Sequence, residues 1–328
     1  MRCSTPTSGC DRTSSKCSSR ACSVQSAQGY ENATDSWITR AAAQQEMMLY
    51  DAVLQGRGAL GHAPCCGTNF VMRTEALHAV GGWDEHTVSE DKVTSFHMHR
   101  RGWRSVYHRE LLALGVGPSD LPSYWKQQYR WAHGATRMGR LVLATRAPIA
   151  VKVETLWASA FYALAILLGV LGTLPIVLTL AGMALPTPPS SWLALSVYPL
   201  YLLVMLFPYL YMRLRGYPLR NLVLVQGLLA VSIPLYLKAV AHGLMGGALR
   251  FDPSPKGTTP AWWSAPQVWT FAALLVAGPV LARLAIEDPH AASTWVVLAW
   301  TVFYTVSLGH YFLFVTHGAW RVAHAEKK

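Results

Sequence analysis

At 328 residues the chain has room for one soluble domain and a membrane bundle. Its residues are 52% hydrophobic and 14% charged, with mean hydropathy +0.23 and 13 Trp. A soluble domain carries about a quarter charged residues, so a wholly soluble protein is excluded. The net charge of +11 does not mark a nucleic-acid partner. No RNA- or DNA-binding signature is present, and Arg and Lys cluster beside apolar runs, where the positive-inside bias places them.

Residues 1–23 are a Ser/Thr/Cys/Arg mixture with no apolar periodicity and no h-region, so they are not a signal peptide. The abrupt change at Val24 reads as an aberrant start: a frameshift, a misassigned initiation codon or a truncation. The six cysteines, Cys3, Cys10, Cys17, Cys22, Cys65 and Cys66, form no CxxC pair. His62 near Cys65 and Cys66 lacks the second half of a zinc site, and no metal ligands are assigned. His97 and His99 point to different sides of a helix and are read as surface or packing residues.

Residues 35–55 read as a helix capped by Asp35 or Ser36, with Ile38, Ala42, Gln45, Leu49 and Val53 at helical spacing. A strand over Cys66–Arg73 and a short helix at Thr74–Val80 follow, then a Gly81-Gly82 turn. Ser89 is placed as the N-cap of a helix carrying Glu90 and Asp91 in its first turn and stopping at Gly102. Trp103–Tyr107 reads as a strand. Pro122–Arg146 holds too many charges for a span and reads as an interfacial amphipathic helix.

Four spans are expected, at 157–183, 192–212, 267–284 and 294–315, each near the ~18–20 residues that cross a hydrocarbon core. Trp192, Trp269 and Trp295 suit an aromatic belt. The apolar stretch 219–249 is flanked by Arg213, Arg215 and Arg220 before it and Arg250 and Lys256 after it. A crossing would place one basic cluster outside, so it is assigned to the cytoplasmic interface. Both termini are then cytoplasmic.

Two motifs in order, Ser89-Glu90-Asp91 and Gln127-Gln128-Tyr129-Arg130-Trp131, resemble the "TED" and "QxxRW" signatures of processive family-2 glycosyltransferases of the cellulose synthase-like kind. Val24-Gln25-Ser26-Ala27-Gln28 is similar to that family's "VQTPQ" strand, and Cys66-Gly67-Thr68-Asn69 to its "GTN" strand. Phe251-Asp252-Pro253-Ser254-Pro255-Lys256-Gly257 resembles its "FxVTxKG" gating loop, with Pro253 for Val and Ser254 for Thr.

The resemblance implies an α/β fold, a partial GT-A domain over 24–120, followed by the QxxRW helix at 121–152 and an all-α transmembrane bundle over 153–328, with the gating-like loop at 251–257. It implies a hexosyl transfer from a nucleotide sugar, a UDP-sugar above all, to a growing β-linked polysaccharide that is exported through the multi-pass cell-membrane region. Asp91 would be the base that takes the acceptor hydroxyl proton, with Glu90 beside it. Gln127 and Arg130 would meet the departing pyrophosphate. Trp131 would stack on the sugar, and Phe251, Ser254 and Lys256 would touch the nucleotide.

The bland alternatives stand beside these roles. Carboxylates favour any helix start, and Trp and Arg are common on membrane-surface helices. The family uses Mg²⁺, but its carboxylate ligands are not in this chain, where no D-x-D occurs. The rival reading is therefore a non-catalytic membrane remnant or subunit without the donor-binding half.

Overall fold

The computed structural model describes residues 21–181 and 209–247, with single positions 207, 249, 302, 306 and 309. Residues 1–20, the loop 251–257 with Phe251, Ser254 and Lys256, the span at 267–284, and nearly all of those at 192–212 and 294–315 lie outside the described residues.

Strand β1 (Ala21–Tyr30) is the centre of a three-stranded mixed sheet. It pairs antiparallel with β2 (Phe70–Met72) and parallel with β3 (Arg104–Gly115). The strand thus begins inside the stretch read as irregular. The reason is burial: Cys22 packs with Ala76 and Met98. Strand alternation sets the two faces. Ser23, Gln25 and Ala27 are buried, while Val24 and its register partners Val71 and Val106 are exposed.

Helix α1 (Trp37–Met48) is capped by Ser36, whose Oγ accepts from the Thr39 N–H at 3.0 Å. It runs without a break into a π turn (Leu49–Leu54) and helix α2 (Gln55–Leu60), which Gly61 stops at φ 85°. The extra residue in the π turn rotates the following face. Tyr50 and Leu54, rather than Leu49 and Val53, are therefore buried, packing with Ala27. Asp51 in this turn gathers distant parts of the chain. Its carboxylate accepts from Tyr217 Oη at 2.6 Å and pairs with Arg109 and Arg215, and its carbonyl accepts from Tyr211 Oη at 3.0 Å.

After β2 come helices α3 (Thr74–Ala79) and α4 (Glu90–Arg100), then a Gly102 turn at φ 84° and β3. Helix α5 (Leu121–Ala144) starts at Asp120, whose Oδ1 accepts from the Ser123 N–H at 2.7 Å, with Pro122 in the first turn. Helices α6 (Ile149–Ser159) and α7 (Phe161–Leu180) follow. The segment read as a span from 157 is bent by 49° where these helices meet. Val151 of α6 packs with Val93, Phe96, Met138 and Val142, and Glu154 pairs with His62 at 3.0 Å. A boundary near 153 therefore falls inside a helix that belongs partly to the α/β unit.

Helix α8 (Leu219–Leu244) has 26 residues and, among the described residues, is the helix long and apolar enough to cross a membrane by length and composition. Half of its apolar window is buried within the protein. It packs on α1, α5 and α7. Trp125 Nε1 donates to Ser232 Oγ at 3.1 Å near the start of α5, and Arg140 Nη1 to the Leu244 carbonyl at 2.8 Å near its end. The two helices run side by side.

Candidate active site

Gln25 organises the loop from Cys65 to Asn69. Its side chain is fully buried. Nε2 donates to the Thr68 and Ser26 carbonyls at 2.8 and 2.9 Å, and Oε1 accepts from the Cys66 N–H at 2.9 Å. Ser26 Oγ donates to the Asn69 carbonyl at 3.1 Å. The loop needs left-handed backbone at Gly67 (φ 73°) and Asn69 (φ 55°). A Cβ on Gly67 would lie 3.4 Å from Asp91 Oδ2, so this loop forms a wall beside that carboxylate. Ser95 Oγ accepts from the Cys65 N–H at 2.9 Å and donates to the Asp91 carbonyl at 2.8 Å, joining loop and helix. Only β2, over Phe70–Met72, is strand in the region read as one from Cys66.

Ser89 does not cap α4 with its side chain. Its buried hydroxyl faces Gly134 of α5 instead, where a Cβ would come within 2.0 Å of Oγ. Gly134 thus lets the two motif-bearing helices touch. Gly134→Ala is expected to force them apart and to lower stability by about 1–3 kcal/mol. Adding Ser89→Ala should recover part of that loss in a thermal melt. Equal melting of Gly134→Ala and the parent would refute the contact.

Asp91 Oδ1 accepts from the Lys92 N–H at 2.7 Å. Burial raises the Asp91 carboxyl above the usual range, against Lys92 and this N–H, with Glu90 adding to the rise. Burial lowers Arg130, while the negative charges of Glu90 and Asp91 pull it back up. A guanidinium and two carboxylates therefore share one site at the crossing of α4 and α5. Three of the residues expected from the sequence, Glu90, Asp91 and Arg130, come together here.

The neighbouring residues are placed as follows. The Gln127 side chain hydrogen-bonds the Tyr30 phenol, which donates to Glu46 Oε1. Gln128 is buried, and its Oε1 accepts from Tyr162 and Tyr236, each at 3.3 Å. Trp131 is half-buried on the cluster of Ala132, Ala135, Tyr162, Tyr236 and Ala239. Gln25, Glu46 and Tyr30 carry no motif. A glutamine in the middle of a buried strand was the available signal for the first.

Among the described residues, no three His, Cys, Asp or Glu side chains come together to hold a metal ion. His62 is turned to Glu154, and His99 is buried against Ser105 Oγ at 2.9 Å, with burial lowering its imidazole to about 3. Mg²⁺ takes carboxylates and substrate phosphates. Glu90 and Asp91 stand beside Arg130 and do not provide such a set. The described residues do not fit the ion, and no step is routed through it.

A mixed α/β unit with a carboxylate pair and a guanidinium at the crossing of two helices is a site for proton abstraction beside an anionic leaving group. The family model for glycosyl transferase family group 2 matches residues 17–309. The chain belongs to that family. It is 36% identical over 94 residues to a UDP-forming cellulose synthase of Dictyostelium discoideum, covering 29% of this chain and 9% of that protein. It is 37% identical over 94 residues to putative cellulose synthase 2 of Komagataeibacter xylinus, covering 29% of this chain and 6% of that protein. It is 32% identical over 142 residues to probable glucomannan 4-beta-mannosyltransferase 9 of Oryza sativa subsp. japonica, covering 42% of this chain and 26% of that protein. The matched part is thus a small fraction of the length of the first two relatives and about a quarter of the third.

Proposed function

We propose that this chain transfers a sugar from a nucleotide sugar to the end of a growing β-linked polysaccharide and passes the polymer through its own membrane spans. One observation carries the reading: Arg130 lies in the field of Glu90 and Asp91. Asp91 takes the proton of the acceptor hydroxyl as the new bond forms. Its burial suits this role, because it raises the basicity of the carboxylate. Arg130 opposes the charge that develops on the departing nucleoside diphosphate, with Gln127 one turn before it. Trp131 offers a ring face to a sugar. Phe251, Ser254 and Lys256 close over the nucleotide from the loop at 251–257.

The names of the relatives, among them a UDP-forming cellulose synthase, support a UDP-sugar as donor. The membrane carries the bundle of spans at 157–183, 192–212, 267–284 and 294–315, with both termini cytoplasmic. Helix α8 lies in the interface. Its side-by-side run along amphipathic α5 supports this, because a helix crossing the bilayer would diverge from one lying on it. Membranes bearing the protein, supplied with a panel of radiolabelled UDP-sugars, should place label in polymer from at least one sugar. No incorporation from any of them would overturn the reading.

The same topology is open to a chemical test. The Asp51–Arg215 ion pair at 3.8 Å holds Arg215 on the side of the α/β unit. Cysteine at Lys256 should resist an impermeant thiol reagent in intact cells, whereas cysteine at Ser190 should label. Labelling of Lys256→Cys from outside would make α8 a span and separate the 251–257 loop from the site.

A further inference from the structure

We propose that Glu46 is a positioning residue which sets, through the Tyr30 hydroxyl, the edge of the Gln127 amide that faces the reaction site. This rests on the transferase reading above. Tyr30 Oη donates to Glu46 Oε1, and Gln127 hydrogen-bonds the same phenol in the sense that favours its negative form, by donating an amide N–H.

The ring between them is fixed. Tyr30 is buried, and a Cβ on Gly117 would come within 2.3 Å of its Cδ2. Gly117 is itself stapled by Asn32, whose Oδ1 accepts from the Gly117 N–H at 2.7 Å and whose Nδ2 donates to the Gly117 carbonyl at 3.0 Å. Both flanking helices are also anchored next to the relay. Tyr124 Oη donates to Gln45 Oε1 at 2.6 Å, and Gln128 is held by Tyr162 and Tyr236. What remains free to turn is the phenolic O–H and the Gln127 amide.

A phenol has one proton to give. An ionised Glu46 accepts only, so it takes that proton, and Gln127 must offer its N–H to Tyr30 and turn its carbonyl edge away. A protonated Glu46 supplies its own proton to the Tyr30 oxygen. The phenolic proton then goes to the Gln127 carbonyl, and the amide, rotated by half a turn, presents its NH₂ group outward. An NH₂ group bonds a pyrophosphate oxygen; a carbonyl repels it.

Both states are within reach of neutral pH. Burial raises the Glu46 carboxyl to about 7, with the Tyr30 hydrogen bond opposing. The groups around it do not compete for the proton. Tyr50 from the π turn and the Cys66 thiol from the loop both feel Glu46 and Asp91, and burial drives both upward, the thiol to about 12. On the α8 side, Gln44 meets the neutral Asn221.

The test has two arms on the full chain. In protein labelled with ¹³C-carboxyl glutamate, infrared spectra should show a buried carboxylic acid that titrates near pH 7. Glu46→Gln should abolish that band. Tyr30→Phe should move its midpoint upward, because the lost hydrogen bond favoured the ionised form. In the second arm, kcat on membranes should fall about tenfold per pH unit above the midpoint, and Glu46→Gln should remove this basic limb. A band that survives Glu46→Gln, or a basic limb that does, overturns the proposal. The infrared arm needs no turnover. An intact titration in a protein that makes no polymer would leave the relay supported and count against the transferase reading instead.

Discussion

Asp91→Asn is expected to lower the transfer rate about 100- to 10,000-fold while the protein becomes no less stable. The rate falls because an amide cannot take the acceptor proton. The stability change follows from the direction of the Asp91 shift. Burial raises its carboxyl in the folded state, so its contribution to stability is full at pH below the unfolded value and is lost as pH rises through the folded value. Asparagine is neutral throughout and escapes that loss. Wild-type activity should show the opposite slope, falling as pH drops through the raised Asp91 value. Initial rates with a UDP-sugar and thermal melts near neutral pH measure both effects. Activity within a few-fold of the parent, or a clear drop in melting temperature, would reduce Asp91 to a carboxylate at a helix start.

Replacing Arg130 is the second large effect. Arg130→Ala should cost about 100- to 1,000-fold in kcat, the scale seen when one group aimed at developing charge is removed. Arg130→Lys keeps the charge and loses the planar fork, so it should fall between the two. The pH profile separates this role from simple packing. Arg130 and the carboxylates Glu90 and Asp91 stabilise one another's charges. Without the guanidinium the acid limb set by Asp91 should move to higher pH in the alanine variant and stay nearly in place in the lysine variant. An unmoved limb in Arg130→Ala, with activity retained, would leave only an aromatic, basic surface helix.

Much of this site could be read from local chemistry. Ser36 and Asp120 are caps, Gly102 is a stop, and Pro122 sits where a missing N–H costs nothing, so the helices on either side were legible within a few residues. Glu90, Asp91 and Arg130 were legible from their order and spacing. The parts that escaped depend on contacts between distant segments. Ser89 looks like a cap in isolation, and only the close approach of Gly134 turns its hydroxyl to another helix. Gln25 looks like an ordinary strand residue until the 65–69 loop closes on it. Glu46 lies on a helix whose stripe was assigned to a regular period, and a regular period gives no reason to pair it with Tyr30. The 26-residue α8 satisfies the arithmetic of a span and also packs along α5, and composition cannot separate these two.

The π turn at Leu49–Leu54 makes the chain here tolerant of changed residues and intolerant of changed length. Leu49 and Val53 are 38% and 44% exposed, so substitutions at either have little packing to disturb. Removing one residue is different. A regular helix turns about 100° per residue, so relaxing the turn to α would rotate α1 by roughly that angle against everything after it. Gln45 and Glu46 would swing away from Tyr124 and Tyr30, or else Tyr50 and Leu54 would leave Ala27. In descendants of this gene, single-residue gaps between Gln45 and Leu54 should be purged even where almost any apolar side chain is accepted.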